Sequence, residues 1–270
     1  MPAVALTDQS NMFGLVKFYN AAMGGGVKPV IGCDVWLHND EEPNQPFRML
    51  LLSKNLQGYR NLTEIVSQSY TEGQHHGKAI VQRAWIAEKP DGLIALSGGC
   101  GGEIGKALLA GKVDDAKQLL LDWQTLFGDD FYLELSRTGR PQEEEYLHLA
   151  VELATECGVP VVATNEVMFL TSELFDAHEI RVAIHDGFTL DDKRRPRKYS
   201  PEQYLRSEEE MVELFSDIPE ALQNTVEIAK RCNVDLTFGE YFLPDYPIPQ
   251  GMTIDEFLVQ VSEEGLEERL

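Results

Sequence analysis

Short aliphatic or β-branched runs recur at Pro2 to Asp8, Lys28 to Leu37, Arg48 to Ser53, Leu93 to Ser97, Phe131 to Leu135 and Val159 to Thr164. Each is followed by a longer segment with helical spacing. Helices are predicted over Asn61 to Tyr70, Ile104 to Leu126 and Gln142 to Cys157. The last has Pro141 just ahead of it, Glu143, Glu144 and Glu145 in its first turn, and Gly158 beyond its end, which suits the helix dipole and a left-handed C-terminal cap. Runs that are apolar throughout, such as Val159 to Ala163, suit parallel strands covered on both faces, so the alternation implies a barrel or a doubly wound sheet.

After about Gly187 the pattern changes to a polar, basic loop. It leads into helices announced by Ser200-Pro201-Glu202-Gln203 and Ser207-Glu208-Glu209-Glu210, both with capping-box spacing. The stretch from Phe242 to Pro249 is too rich in proline for a helix or a central strand, and Thr253-Ile254-Asp255-Glu256 starts a further helix that runs towards Leu270. No repeat or low-complexity tract interrupts this order.

Composition narrows the classes. A chain of 270 residues with 43% hydrophobic content is long enough for one large domain with a smaller appendage. No stretch approaches the roughly 18 consecutive apolar residues of a membrane helix, and no secretory leader is visible. Cys33, Cys100, Cys157 and Cys232 are scattered without a CxxC pair, and read as reduced thiols of a cytoplasmic protein. The formal net charge of −22 opposes broad contact with nucleic acid.

Few motifs suggest chemistry by themselves. His75-His76, flanked by glycines, reads as an exposed loop. His178 and His185, two helical turns apart, read as one side chain packed inwards and one near a helix end at Gly187. Lys193, Arg194, Arg195, Arg197 and Lys198 form the one strongly basic run, which is either a contact for a phosphate backbone or acidic partner, or a solvated linker. The glycines around Cys100 lack the following Lys-Ser/Thr of a P-loop and read as tight turns.

Several segments carry a resemblance in order: Ala5 to Asn11, Gly14 to Tyr19, Lys28 to Asp34, Ser53-Lys54-Asn55, Gly58 to Leu62, Ala163 to Glu166, Phe175 to Gly187, Tyr199 to Pro201, Asn224 to Cys232 and Gly239 to Pro244. Together they resemble the N-terminal polymerase-and-histidinol-phosphatase (PHP) domain of bacterial DNA polymerase III alpha subunits, of the proteobacterial type. The resemblance implies an α/β fold, a distorted (β/α)7-type PHP barrel over residues 1–235, followed by a helical connector and the start of a polymerase palm region over 236–270. Family members begin with a further strand carrying an HxH motif, so the barrel is expected to be N-terminally truncated here.

Active PHP domains bind divalent metals at the carboxyl ends of their strands and activate a water for attack on phosphorus. Carried onto this sequence, the ligand positions are Asp8, Gln9, Asp34, Arg48, Gly99, Glu166 and Met168. Gln9 replaces a histidine with a neutral amide, Arg48 replaces a histidine with a fixed cation, and Met168 replaces a histidine with a thioether. Gly99 stands where the family has cysteine, with Cys100 one residue late. The set is expected to be vestigial, with no intact metal site and no catalytic residue. Asp8, Asp34, Arg48 and Glu166 are expected to form an ion-pair network instead.

The resemblance further implies a scaffold that docks the proofreading exonuclease (epsilon) subunit and other replicase subunits. The parent chain would synthesise DNA with magnesium bound in its palm and would hold DNA through its other parts. No cofactor is expected in the present residues, and no membrane contact. The rival reading, an active metal-dependent phosphoesterase, is opposed by Gln9, Arg48, Gly99 and Met168.

Overall fold

The computed structural model describes residues 1–241, 243 and 246–270; Phe242, Pro244 and Asp245, part of the proline-rich stretch, lie outside the described residues. The elements run β1 (Ala3–Leu6), α1 (Leu15–Gly24), β2 (Lys28–Leu37), β3 (Phe47–Ser53), α2 (Leu56–Thr71), β4 (Gln74–His75), β5 (Lys78–Val81), α3 (Arg83–Glu88), β6 (Leu93–Leu96), α4 (Glu103–Leu109), α5 (Val113–Phe127), β7 (Phe131–Ser136), α6 (Glu143–Cys157), β8 (Val161–Thr164), α7 (Phe175–Asp186), α8 (Glu208–Leu214), α9 (Pro219–Arg231) and α10 (Ile254–Arg269). Residues 1–235 and 236–270 form two compact units.

The first unit is an α/β fold around a mixed sheet. Its strand order is β4-β5-β2-β3-β6-β7-β8, with β1 pairing in parallel to the first residues of β2. Side chains alternate across the strands. One face supplies Cys33, Val35, Met49, Leu51, Leu133 and Leu135 to a core shared with Ile65, Leu120, Trp123 and Tyr146 from the helices and Phe215 just after α8. The other face collects Val30, Leu50, Leu52, Ile94, Leu96, Tyr132 and Val162, and α9 closes over it with Ile228, joined by Cys232 at its C-terminal cap. Asn224 of α9 donates to the Val161 carbonyl at 2.8 Å, and Lys28 Nζ donates to the Ala229 carbonyl at 2.6 Å.

Counting by twos along the strands from this second apolar layer fixes what lies above it. Val30 leads to Asp34, Leu50 to Arg48, Tyr132 to Glu134 and Ser136, and Val162 to Thr164. The same face of the sheet is therefore apolar at one end, where α9 covers it, and charged at the other.

Four expectations need correction. The run Lys28 to Leu37 is not followed by a helix: loop 38–46 joins β2 directly to β3, so β3 runs antiparallel to β2 and β6, while β7 and β8 pair in parallel. The helix expected over Ile104 to Leu126 is two, α4 and α5, divided at Gly111 (φ +74°), where the amides of Gly111 and Lys112 turn back onto the Leu108 and Ala107 carbonyls. The His75-His76 segment is a hairpin, with His76 and Gly77 both at positive φ in a two-residue turn between β4 and β5. Ser200 to Gln203 forms a turn and no helix: the Gln203 side chain accepts from the Ser200 amide at 3.1 Å, and the chain then continues into a bridge between Tyr204 and Phe169.

Other local readings hold for stated reasons. Ser207 and Glu210 form a reciprocal capping box on α8, and Gly158 ends α6 in the left-handed conformation. Helix α2 starts earlier than its hydrophobic spacing suggests because the Asn55 side chain accepts from the Gly58 amide at 2.9 Å. In the second unit, Thr253 and Glu256 cap α10 in the same reciprocal way. Among the described residues no helix is long and apolar enough to cross a membrane.

Candidate functional site

The charged end of the sheet face is built around one guanidinium. Arg48 Nε donates to Asp34 Oδ2 at 2.6 Å, Nη1 lies 2.9 Å from Glu166 Oε1, and both terminal nitrogens reach the Glu134 carboxylate at 3.4 Å. A second guanidinium extends the cluster, with Arg140 Nη2 2.8 Å from both Glu166 and Glu143. Thr164 donates to Glu134 at 2.7 Å, while Thr138 donates its amide and hydroxyl to Glu143, each at 2.6 Å. Two arginines thus hold four carboxylates, all of them in largely buried positions.

Glycines bring the loop that covers this cluster close to the strands. Gly98 has φ +80°, and a Cβ there would sit 2.0 Å from the Arg48 carbonyl oxygen; at Gly102 it would sit 1.7 Å from the Ser97 carbonyl oxygen. No side chain fits at either distance, so the run Gly98 to Gly102 turns tightly against the backbone of β3 and β6. Glu166, at φ +42°, holds a conformation that non-glycine residues seldom adopt, and its two ion pairs keep it there.

The electrostatics follow from burial and pairing. Burial pushes the Asp34 carboxyl up to about 7, with Glu134 and Glu166 adding to the effect against the pull of Arg48. Asp34 Oδ1 is buried and has no hydrogen-bond partner, which fits a carboxyl that holds a proton readily. Glu166 moves the other way: burial opposes its charge, but Arg48 and Arg140 outweigh it and lower its pKa. Arg48 is held charged well above its ordinary range, since the three carboxylates overcome its desolvation.

A pH prediction follows, with opposite signs for the two acids. The folded chain holds the Asp34 proton more tightly than the unfolded chain, so that contribution is full below about 4 and is lost as pH rises through about 7. Glu166 contributes above its ordinary value of 4.5, and that part is lost as pH falls through its lowered folded value. Asp34→Asn, followed by urea unfolding at several pH values, is expected to gain stability relative to the parent chain as pH rises from 4 to 8. An unchanged difference across that range contradicts the assignment.

The expected ligand positions do not all converge. Asp34, Arg48 and Glu166 meet, as the ion-pair expectation requires. Asp8 is exposed and contributes its carbonyl, which accepts from the Asp34 amide at 3.2 Å, so its carboxylate stays outside the network that was expected to include it. The Gln9 side-chain amide donates to the Asp34 carbonyl at 2.9 Å and braces the strand end. Gly99 lies beside the cluster: a Cβ built there would be 3.9 Å from Glu166 Oε1 and 4.0 Å from Ser136 Oγ. Met168 is part-exposed, with its amide donating to the Gln203 carbonyl at 2.8 Å. Burial pushes the Cys100 thiol up to about 11, far from a metal-ligating thiolate.

Glu134, Arg140 and Glu143 escaped the sequence reading. Glu134 carried a usable signal, since it is the one charge inside the apolar run Phe131 to Leu135 and shares the register of Tyr132 and Ser136. Among the described residues no group of three or more His, Cys, Asp or Glu is arranged to hold a metal ion. The donor set gives the physical reason: a fixed cation already sits within contact of the three carboxylates that would have to converge on one. This constellation does not fit a divalent metal cluster.

The remaining histidines and the basic run lie elsewhere. His75 Nε2 is 3.0 Å from Asn44 Oδ1 at the hairpin. His178 is buried against Phe169 and Tyr199, while His185 is exposed in the last turn of α7. In the basic run, Arg195 is buried on Glu179 at 2.7 Å, Arg194 pairs with Asp192 at 2.8 Å, Lys198 pairs with Asp186 at 3.0 Å, and Lys193 and Arg197 are exposed.

Comparison with known proteins is consistent with this architecture. Residues 1–138 match the family model described as the PHP domain. The whole chain is 57% identical to the DNA polymerase III subunit alpha of Pseudomonas aeruginosa, 57% to that of Vibrio cholerae and 54% to that of Escherichia coli K12. It covers 23% of the length of each of these relatives.

Proposed function

This chain belongs to the PHP domain family, and from that premise we propose that it serves as a non-hydrolytic scaffold within a bacterial DNA polymerase III alpha subunit. The single observation that carries the reading is the Arg48 guanidinium, which touches Asp34, Glu134 and Glu166 at once. A hydrolytic site of this family needs those oxygens free to converge on metal ions and a bound water. Here the arginine occupies them instead, and the cluster ties β2, β3, β7 and the loop after β8 together. Its role is to rigidify the mouth of the sheet.

In the same reading, the domain is the docking surface for the proofreading exonuclease subunit, and the parent chain carries out DNA-templated DNA synthesis in the cytoplasm. Magnesium would belong to the palm of that parent chain, which the unit at 236–270 would enter.

The test is isothermal calorimetry of the purified chain with the exonuclease subunit, with bound metal quantified on the same sample. Saturable binding with less than one divalent ion per chain is the expected result. Two or three tightly bound divalent ions per chain, together with release of phosphate from a phosphomonoester, would overturn the scaffold reading in favour of a phosphoesterase.

A further inference from the structure

The segment 188–199 lies along α7 as a strap, and its contacts are of an unusual kind. Arg195 and Glu179, with side chains 3% and 7% exposed, form an ion pair at 2.7 Å. Yet Glu179 Oε1 and the Arg195 Nε and Nη1 atoms lack a well-directed hydrogen bond, as does His178 Nε2 beside them. A buried ion pair offsets the loss of hydration only when its remaining donors and acceptors are satisfied. The strap is therefore held by contacts that specify its place without securing it strongly. Lys198 on Asp186 at 3.0 Å and Tyr199 edge-on to His178 at 4.7 Å complete the attachment.

The attachment also engages charge: it buries Arg195 and pairs Lys198. Lys193, Arg194, Arg195, Arg197 and Lys198 place five cations within six residues. Docking on α7 pairs Arg195 with Glu179 and Lys198 with Asp186, while Arg194 pairs with Asp192 inside the strap itself. Pro196 keeps the run from forming a helix, so the released segment is extended and presents its cations in succession.

We propose that this strap is an electrostatic latch that exchanges the carboxylates of α7 for the phosphates of a nucleic-acid strand. The choice of partner follows from the exchange itself. An acidic protein would offer more carboxylates in place of carboxylates already held within the chain, with no compensating gain. A nucleic-acid strand carries closely spaced phosphates and releases condensed counterions when they are neutralised, which drives the exchange forward. Arginine, three of the five cations, suits phosphate geometry through its planar fork. In a chain of net charge −22, the exposed cations Lys193, Arg194, Arg197 and Lys198 offer a strand its first contact, and only Arg195 is withheld until the strap lifts. The inference goes beyond the scaffold reading, and either can fail without the other.

The test uses the full chain with fluorescent single-stranded oligothymidylate at low salt, read by anisotropy, and amide hydrogen exchange over residues 188–199. Binding is expected to raise exchange in that segment as it leaves α7. Glu179→Gln removes the buried competing carboxylate and is expected to tighten binding about tenfold, Asp186→Asn, whose lysine partner is half exposed, is expected to tighten it about two- to fivefold, and Lys193→Ala with Arg197→Ala weakens it. Asp186→Asn keeps the test valid should Glu179→Gln misfold. No oligonucleotide binding by the parent chain or Asp186→Asn, binding without a change in exchange at 188–199, or equal binding of polyglutamate would each overturn the proposal, the last in favour of an acidic protein partner.

Discussion

Replacing Arg48 with alanine is expected to remove about 3–5 kcal/mol of folding stability at neutral pH, because it leaves buried carboxylates without their counterion. Asp34, Glu134 and Glu166 all face the lost guanidinium, and only Glu166 retains an arginine, Arg140. Lysine at the same position should recover only part of the loss, since a single ammonium cannot span three carboxylates from one point. Urea unfolding monitored by circular dichroism gives the number directly. The sign of its pH dependence is a second check: acid protonates the stranded carboxyls, so the deficit of Arg48→Ala should shrink as pH falls from 7 towards 4. A loss below about 1 kcal/mol, the range of an exposed ion pair, would mean that water or relaxation serves these groups as well as the arginine does.

How much of this was legible in the chain depends on the range of each interaction. The strands β2, β3, β6, β7 and β8 coincide with apolar runs because burial of such runs is decided locally by hydrophobic pattern. The hairpin at β4 and β5 is too short for any periodicity, and its turn signal was the dipeptide His76-Gly77. The break between α4 and α5 could have been read from Gly111, which was outweighed by the apolar residues on either side. At the site, Asp34, Arg48 and Glu166 were placed by resemblance. Arg140 and Glu143 were not, because their approach to the cluster depends on the loop before α6 folding back over β7, a contact with no signature in either segment alone. Ser200 to Gln203 shows the opposite case: a helix-capping pattern was spent on a turn, because the chain must return to pair Tyr204 with Phe169.

Gly98→Ala should be nearly as damaging as loss of the arginine itself, at about 2–5 kcal/mol, combining the cost of a left-handed alanine with overpacking against a rigid neighbour. The new Cβ would lie 2.0 Å from the Arg48 carbonyl oxygen and 3.3 Å from the Arg48 Cβ, so the backbone that must yield is the one that aims the guanidinium. Gly98→Ala therefore acts partly through Arg48. The consequence is measurable in a double-mutant cycle, since the part of the penalty that comes from misplacing the Arg48 side chain disappears once that side chain is gone. Gly98→Ala combined with Arg48→Ala is expected to fall short of the sum of the single effects by about 0.5–3 kcal/mol, the range seen for residues in contact. Simple additivity would assign the glycine a purely local role in the turn and detach it from the charged cluster. A shortfall would instead make the glycine-rich turn part of the apparatus that holds one arginine among its carboxylates.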